Sequence, residues 1–243
     1  CTAYAGTLSG FKPTDCLQEG GTAIGGISNG DKVVPAGYEV LYVLTSAPGA
    51  IIEQVSNVPI FDVLEEAVFT VHTLVYDPAT LDLSTVQLGV TSAAAIHDLL
   101  IEGGGSICGS LDLVGTTIQV ENPESGGLTA VEAQVCIVAG SAIISATPSG
   151  GLYVPNSYSV LYVLTQGPGL VILDTSSEPM FSVTELGDYT IHTLVYDPAT
   201  LPLGGVVPGT TTGFDVNGML LQGGGGICAA LDVAGAPIEV IEC

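Results

Sequence analysis

The sequence predicts an all-β protein of two tandem Greek-key sandwiches, residues 1–120 and 121–243, each with a short helical insertion before its last strand. One observation behind this prediction is a repeat: residues 72–81 return letter for letter as residues 192–201, at an offset of 120 positions. Another is that both copies contain strand-length runs of β-branched and aromatic residues, separated by turns at short spacing. An internal repeat sets the number of domains, so each copy is treated as one module.

Landmarks outside that block keep the same offset and show what the modules share. They are Cys16 and Cys136, Pro35 and Pro155, Tyr38 and Tyr158, Tyr42 and Tyr162, and Cys108 and Cys228. The polar stretch 121–127, which contains proline and glycine, marks the junction between the modules. About 120 residues are enough for each module to form its own core.

Five strands are predicted in order along each module. In the first module they cover residues 38–45, 50–53, 59–63, 69–76 and 117–120, and in the second 158–165, 170–173, 179–183, 189–196 and 237–240. Turns containing proline and glycine follow the first of these strands, and an Asp-Pro pair ends the fourth because proline cannot donate to a strand ladder. Further short strands bring the expected number to about seven per module.

A helical segment is predicted between the fourth and fifth of these strands. Thr91 or Ser92 is expected to cap a helix that runs through Ile101, with Gly103 just past its end. Ile96, Leu99 and Leu100 then share one face, as do Val216, Met219 and Leu220 in the copy. The glycine runs 103–105 and 223–226 lack the lysine that a phosphate-binding loop needs, so we expect them to pack tightly against a strand or a disulfide.

Gly187 and Tyr189 introduce the strongest strand of the second module. A Gly-x-Tyr sequence at this place is typical of the tyrosine corner of immunoglobulin-type sandwiches. The sequence therefore favours two immunoglobulin-like modules.

The charge balance is extreme and excludes several classes of partner. Twenty-five acidic residues face only two basic ones, Lys12 and Lys32, for a formal net charge of −23. Such a chain cannot neutralise the phosphates of nucleic acid, and an anionic membrane surface would repel it. No apolar run is long enough for a membrane helix. The acidity suits solubility in a salty exterior and contact with divalent cations.

The six cysteines predict an oxidising, extracellular location, because no close cysteine pair provides a zinc site. The pairs Cys16–Cys108 and Cys136–Cys228 are favoured because only these four cysteines repeat. Cys1 and Cys243 are then left to bond with neighbouring modules or chains, as in a piece of a longer array. A rival set, which joins cysteines 15 positions apart and also Cys108 with Cys136, stays open.

Three kinds of side chain are candidates for a site. His72 and His192 lie within strands, without a nucleophile motif nearby, and are expected to be buried and hydrogen-bonded; His97 aligns with Asn217 and has no counterpart. Asp77, Asp82 and Asp197 are weak candidates for calcium, although no EF-hand loop is present. Tyr38, Tyr42, Tyr158 and Tyr162 are expected to serve the core rather than a sugar platform.

The block His-Thr-Leu-Val-Tyr-Asp-Pro, followed by the glycine run and Ile-Cys, resembles the tandem immunoglobulin-like repeats of very large secreted surface proteins of Bacteroidota. The likeness extends over residues 1–8, 158–165, 189–201 and 223–233, and it departs at Glu121, where the opening cysteine is not repeated. It implies an adhesin or fibre at the cell surface, without catalytic residues.

These observations favour a structural or adhesive repeat segment of a large extracellular protein, forming a stalk or filament. Its expected partners are neighbouring modules, laterally associated copies of the chain, and a cell-surface or glycan target. The alternative is a carbohydrate- or calcium-dependent binding module. An enzyme is not expected, because no nucleophile–base or paired-acid constellation repeats between the modules. No cofactor other than calcium is expected.

Overall fold

A computed structural model describes residues 1–18 and 20–243 of the chain. It divides the chain into two compact units, Cys1–Glu121 and Asn122–Cys243. The division falls one residue beyond the boundary predicted from the repeat. The two units are built alike, and each is described below by itself.

The first module is a sandwich of two sheets. Its small sheet has the order β1-β3-β6, and its large sheet has the order β2-β9-β7-β4-β5, with β8 also paired to β7. All pairs are antiparallel except β2 with β9, which run parallel. The strands are β1 (Leu8–Gly10), β2 (Thr14–Cys16), β3 (Thr22–Ser28), β4 (Glu39–Ser46), β5 (Ile51–Ser56), β6 (Ile60–Val63), β7 (Ala67–Tyr76), β8 (Gly109–Leu111) and β9 (Thr116–Glu121).

The second module repeats this order of strands. Its small sheet is β10-β12-β15, and its large sheet is β11-β18-β16-β13-β14, with β17 paired to β16. Here β11 runs parallel to β18. The strands are β10 (Glu124–Ala130), β11 (Gln134–Ile137), β12 (Ala142–Tyr153), β13 (Ser159–Gln166), β14 (Val171–Ser176), β15 (Met180–Val183), β16 (Gly187–Tyr196), β17 (Ala229–Leu231) and β18 (Ala236–Glu242).

Each module has two hydrophobic cores, one on either face of its large sheet. Side chains alternate along β7, so Phe69 and Val71 pack towards the small sheet while Leu74 and Tyr76 pack on the opposite face. The helical insertion covers that opposite face. Each module is therefore a sandwich with a third, helical layer, and the sequence did not predict that layer as a second core.

The helical insertion is shorter than predicted. Helix α1 (Ala93–His97) follows the N-cap Ser92, whose hydroxyl accepts a hydrogen bond from the Ala95 amide, and α2 (Gly213–Met219) follows Thr212 in a capping box. A short 3₁₀ turn comes after each helix, at Ile101–Gly103 and Leu221–Gly223. Because the chain turns soon after the helix, Leu99 and Met219 are exposed rather than buried, while their neighbours on the predicted face join the core.

The predicted fold class is confirmed: both modules are all-β, immunoglobulin-like Greek-key sandwiches with a helical insertion. The insertion precedes the last two strands of each module, not the last one alone as predicted, because the short strands β8 and β17 follow it. The five predicted strands of each module are present, with ends that differ by up to three residues. The strands before residue 38, and those before residue 158, were not predicted individually. They belong mainly to the small sheets, where glycine and polar residues blur the alternation.

Candidate functional site

The cysteines are paired differently from the prediction. Cys1 is bonded to Cys108, and Cys136 is bonded to Cys243, with Cα–Cα distances of 5.2 and 5.6 Å. Cys16 and Cys228 are also disulfide-bonded, and no described cysteine is free. The terminal cysteines therefore close within their own modules and are not available as thiols for other chains.

Strand register explains why the pairs Cys16–Cys108 and Cys136–Cys228 are wrong. Cys16 lies opposite Glu121, beside the beginning of β7, whereas Cys108 directly precedes Gly109, which lies opposite Tyr76 at the far end of β7. A strand of this length keeps the two cysteines about 30 Å apart, far beyond the reach of a disulfide. The same register separates Cys136 from Cys228 along β16.

The rival set of pairs is contradicted as well, since Cys1 and Cys243 take the partners that the rival set gives to others. A sequence signal for the observed pairs existed. Both have a sequence separation of 107 residues, although they join positions that are not equivalent in the repeat. The prediction paired only cysteines that recur in both modules, and Cys1 and Cys243 do not recur.

Both disulfides lie where the chain enters or leaves a module. In the second module, Cys136 is in β11 and Cys243 directly follows β18, the strand that runs parallel to β11. In the first, Cys1 is joined to the residue before β8. Each bond thus closes almost the whole module into a covalent loop, so tension between Cys1 and Cys243 can bypass residues 2–107 and 137–242.

His72 and His192 are the buried polar centres of the two modules. In the first module, the imidazole Nδ1 is 2.8 Å from the Asp112 carbonyl oxygen, and Nε2 is 2.9 Å from the Thr45 hydroxyl. In the second, the corresponding distances to Asp232 and Thr165 are both 2.8 Å. A carbonyl can only accept, so Nδ1 carries the proton and Nε2 accepts from the threonine.

Burial and hydrogen bonding hold this arrangement in place. Thr45 is 1 % exposed and Thr165 is fully buried, and each hydroxyl is hydrogen-bonded to the imidazole of its module. Burial lowers the pKa of His72 and of His192, and the hydrogen bond to the aspartate carbonyl and the aspartate charge oppose this only in part. Both imidazoles are therefore held neutral and tie the central strand to the turn before the last strand.

His97 was predicted to have no role shared by the modules. It is half-buried at the end of α1, and its Nδ1 is a buried atom without a hydrogen-bond partner among the described residues. The equivalent residue, Asn217, accepts a hydrogen bond from the Gln222 side chain. The two positions thus have different surroundings.

The glycine runs pack against the helix, not against a strand or a disulfide. A Cβ at Gly103 or Gly105 would lie 2.1 Å from the carbonyl oxygen of His97 or Leu99, and Gly104 has a φ of +94°. The copies, Gly223 to Gly225, show the same contacts and the same left-handed residue. The run lets the chain fold back closely over the end of the helix.

The three aspartates that were candidates for calcium binding accept hydrogen bonds from backbone amides within local turns. Asp77 and Asp197 each accept a hydrogen bond from the amide two residues later, at 2.9 Å. Asp82 accepts one from the Ser84 amide at 2.9 Å, and the hydrogen bonds from Ser84 lower the pKa of Asp82. Within residues 1–18 and 20–243, no group of three or more histidine, cysteine or acidic side chains is placed to hold a metal ion.

The tyrosines serve the modules as expected. Tyr42 and Tyr162 are buried in the core between the sheets, Tyr158 is buried, and Tyr38 is half-buried. The Lys32 ammonium donates to the Tyr42 hydroxyl at 3.0 Å. Tyr42 and Tyr162 therefore do not present an aromatic surface to a sugar.

The predicted tyrosine corner is present. The Tyr189 hydroxyl donates to the Glu185 carbonyl oxygen, four residues upstream, at 3.0 Å. The first module has Phe69 at the same position, also buried but without the hydroxyl. The two modules thus offer a natural comparison of this bond.

None of the helices in the described part of the chain is long and apolar enough to cross a membrane. No family model matches the chain, and no curated protein matches it. Among solved structures, it is similar to human mucin-like protocadherin EC1-2, with 14% identity and a TM-score of 0.27 over 98% of this chain and 100% of that one. The calcium-binding domains CBD12 of CALX1.1 show 10% identity and a TM-score of 0.21 over 96% and 99% of the two chains.

Proposed function

We propose that this chain is a structural and adhesive repeat segment of a large extracellular surface protein and forms part of a stalk or filament. The observation that carries the proposal is the position of the disulfides, which shield nearly all of each module from tension along the chain. A protein that works under load gains from this arrangement. A freely diffusing binding protein does not need it.

The parallel strand pair supports the same function. While the bond between Cys136 and Cys243 is intact, it carries force past β18. Once the bond is reduced, force applied to the two ends of the module pulls β11 and β18 in opposite directions along their length, because the two strands are parallel. All hydrogen bonds of the pair are then loaded together rather than one after another. The first module has the same arrangement in β2 and β9.

The disulfides also support an extracellular location, because such bonds persist in oxidising compartments and are rare in the cytosol. The strongly negative charge keeps copies soluble in salt, which screens their mutual repulsion. We propose neighbouring modules of the same protein, and laterally associated copies, as the partners. We further propose that the modules are not catalytic, which fits the engagement of both threonine–histidine pairs in structural hydrogen bonds.

Electron microscopy of the full parent protein, purified from its source cells, tests this function. We expect elongated particles with regularly spaced domains. Compact, isolated particles of uniform diameter would refute the stalk or filament.

Calcium-dependent binding is the second candidate, and the surplus of 25 acidic over 2 basic residues favours it. A titration of the oxidised chain with calcium, followed by its melting temperature, tests it against magnesium as the control. A rise specific to calcium at millimolar concentration would support it. An unchanged melting temperature would remove it, and a glycan array would test the carbohydrate form in the same way.

A further inference from the structure

Each module contains a cavity between the outer face of its large sheet and the helical layer. The cavity of the first module measures about 250 Å³ and that of the second about 130 Å³. They lie at equivalent places, since Leu41, Ile52 and Leu74 in one correspond to Leu161, Ile172 and Leu194 in the other. The duplicated fold thus creates the same space twice.

The larger cavity is lined by apolar side chains alone. Leucine, valine, isoleucine and alanine from β4, β5, β7, β8, α1 and the segment before α1 form its walls. An apolar cavity of about 150 Å³ stays dry and binds benzene. A cavity of this size and lining therefore has room for one small ring or a short aliphatic chain.

The second module is a matched contrast. Thr175 and Pro208 replace Val55 and Leu88, and the side chains of Thr165, Asp174 and His192 also reach its wall. Val55 and Leu88 are 46% and 54% exposed, so they form an apolar rim where the first cavity meets solvent. The rim and the volume both favour apolar ligands in the first module over the second.

We propose that the first module has a binding site for a small, uncharged apolar molecule, about the size of one aromatic ring or a six-carbon chain. The apolar lining provides no side-chain group that would orient a polar head, and the negative charge of the protein disfavours anionic ligands such as short fatty acids. The site does not depend on the stalk function.

Methyl NMR of the full, oxidised chain tests the site, with benzene as the apolar probe and hexanoate as the charged one. We expect benzene to shift the methyl signals of Leu83 and Val86 saturably, and to affect their counterparts Leu203 and Val206 more weakly. Hexanoate should leave all four unchanged. Absence of a saturable benzene shift would overturn the site, and equal binding of hexanoate would overturn its chemistry.

Two variants locate the binding. Ala93→Leu places a larger side chain in the cavity wall and should abolish the benzene shifts. Val55→Thr introduces the residue that the second module already tolerates, and should weaken binding about fourfold through the lost methyl contact. Benzene shifts that persist unchanged in both variants would place binding elsewhere and overturn the proposal.

Discussion

The histidine of each module shows how one residue can fix several strands at once. His72 lies in the central strand, accepts from Thr45 in the neighbouring strand and donates to the Asp112 carbonyl beyond β8. Gly115 packs closely against the imidazole, since a Cβ at this position would lie 2.8 Å from Nδ1. The identical ten-residue block is thus conserved between the modules around a buried polar anchor.

This anchor predicts a loss of stability at mildly acidic pH. The pKa of both histidines is lowered by folding, so the unfolded chain binds protons first. The stability that the neutral imidazoles contribute is present above the unfolded value of about 6.5 and is lost as the pH falls below it. Urea unfolding between pH 7.5 and 5.5 should show this loss.

The double variant His72→Asn/His192→Asn is the control for that experiment. Asparagine can still donate to the aspartate carbonyl but does not titrate in this range, so the difference between variant and native protein isolates the imidazoles from the surface carboxylates. Parallel pH profiles for the two proteins would show that the histidines do not cause the loss.

A second prediction at this scale concerns the tyrosine corner. Tyr189→Phe removes the hydrogen bond to the Glu185 carbonyl and should reduce the free energy of unfolding of the second module by about 1 kcal/mol. The first module, with Phe69 at that place, should be unaffected. Chemical denaturation with module-specific NMR signals measures both, and an unchanged second module would contradict the role of the bond.

Among the elements, the helical insertion depends most on backbone geometry. The glycine run brings the chain over the last carbonyls of α1 so closely that a side chain has no room at two of its positions. The insertion covers the second core, which contains Leu74, Ile96 and Leu100. Distortion of the run should therefore loosen that core and leave the core between the sheets intact.

Two alanine substitutions separate conformational strain from steric conflict. Gly104→Ala meets no neighbouring atom but must adopt a positive φ, and should cost about 1 kcal/mol. Gly105→Ala would bring its Cβ to 2.1 Å from the Leu99 carbonyl oxygen, so we expect a larger loss. Urea denaturation of both variants measures the order, and equal losses would contradict the close packing.

Most strands and the helical insertion could be predicted because their signals lie in short, continuous stretches of sequence. The strands around Tyr42 and His72 follow from β-branched and aromatic runs that end at proline turns, and the insertion follows from its cap at Ser92. The disulfides could not be predicted this way, since their pairing depends on which strand ends lie side by side. Equivalence of Cys16 with Cys136 pointed to a pair that the length of β7 forbids.

For the whole molecule, duplication has kept the fold, but the disulfides join positions that are not equivalent in the two modules. Cys1 is bonded to Cys108, near the end of the first module, and Cys243 is bonded to Cys136, near the beginning of the second. The polypeptide between Cys108 and Cys136, which these bonds leave open to extension, is short. We therefore expect the oxidised pair of modules to be nearly inextensible.

Single-molecule pulling of the chain, through handles fused outside Cys1 and Cys243, tests this claim most directly. With the disulfides intact, no more than residues 109–135 can be drawn out, and the contour length between the two cysteines should stay below about 115 Å. After full reduction, the same molecule should reach about 850 Å. An oxidised molecule that extends by several hundred ångströms would contradict the load path and, with it, the proposed mechanical function.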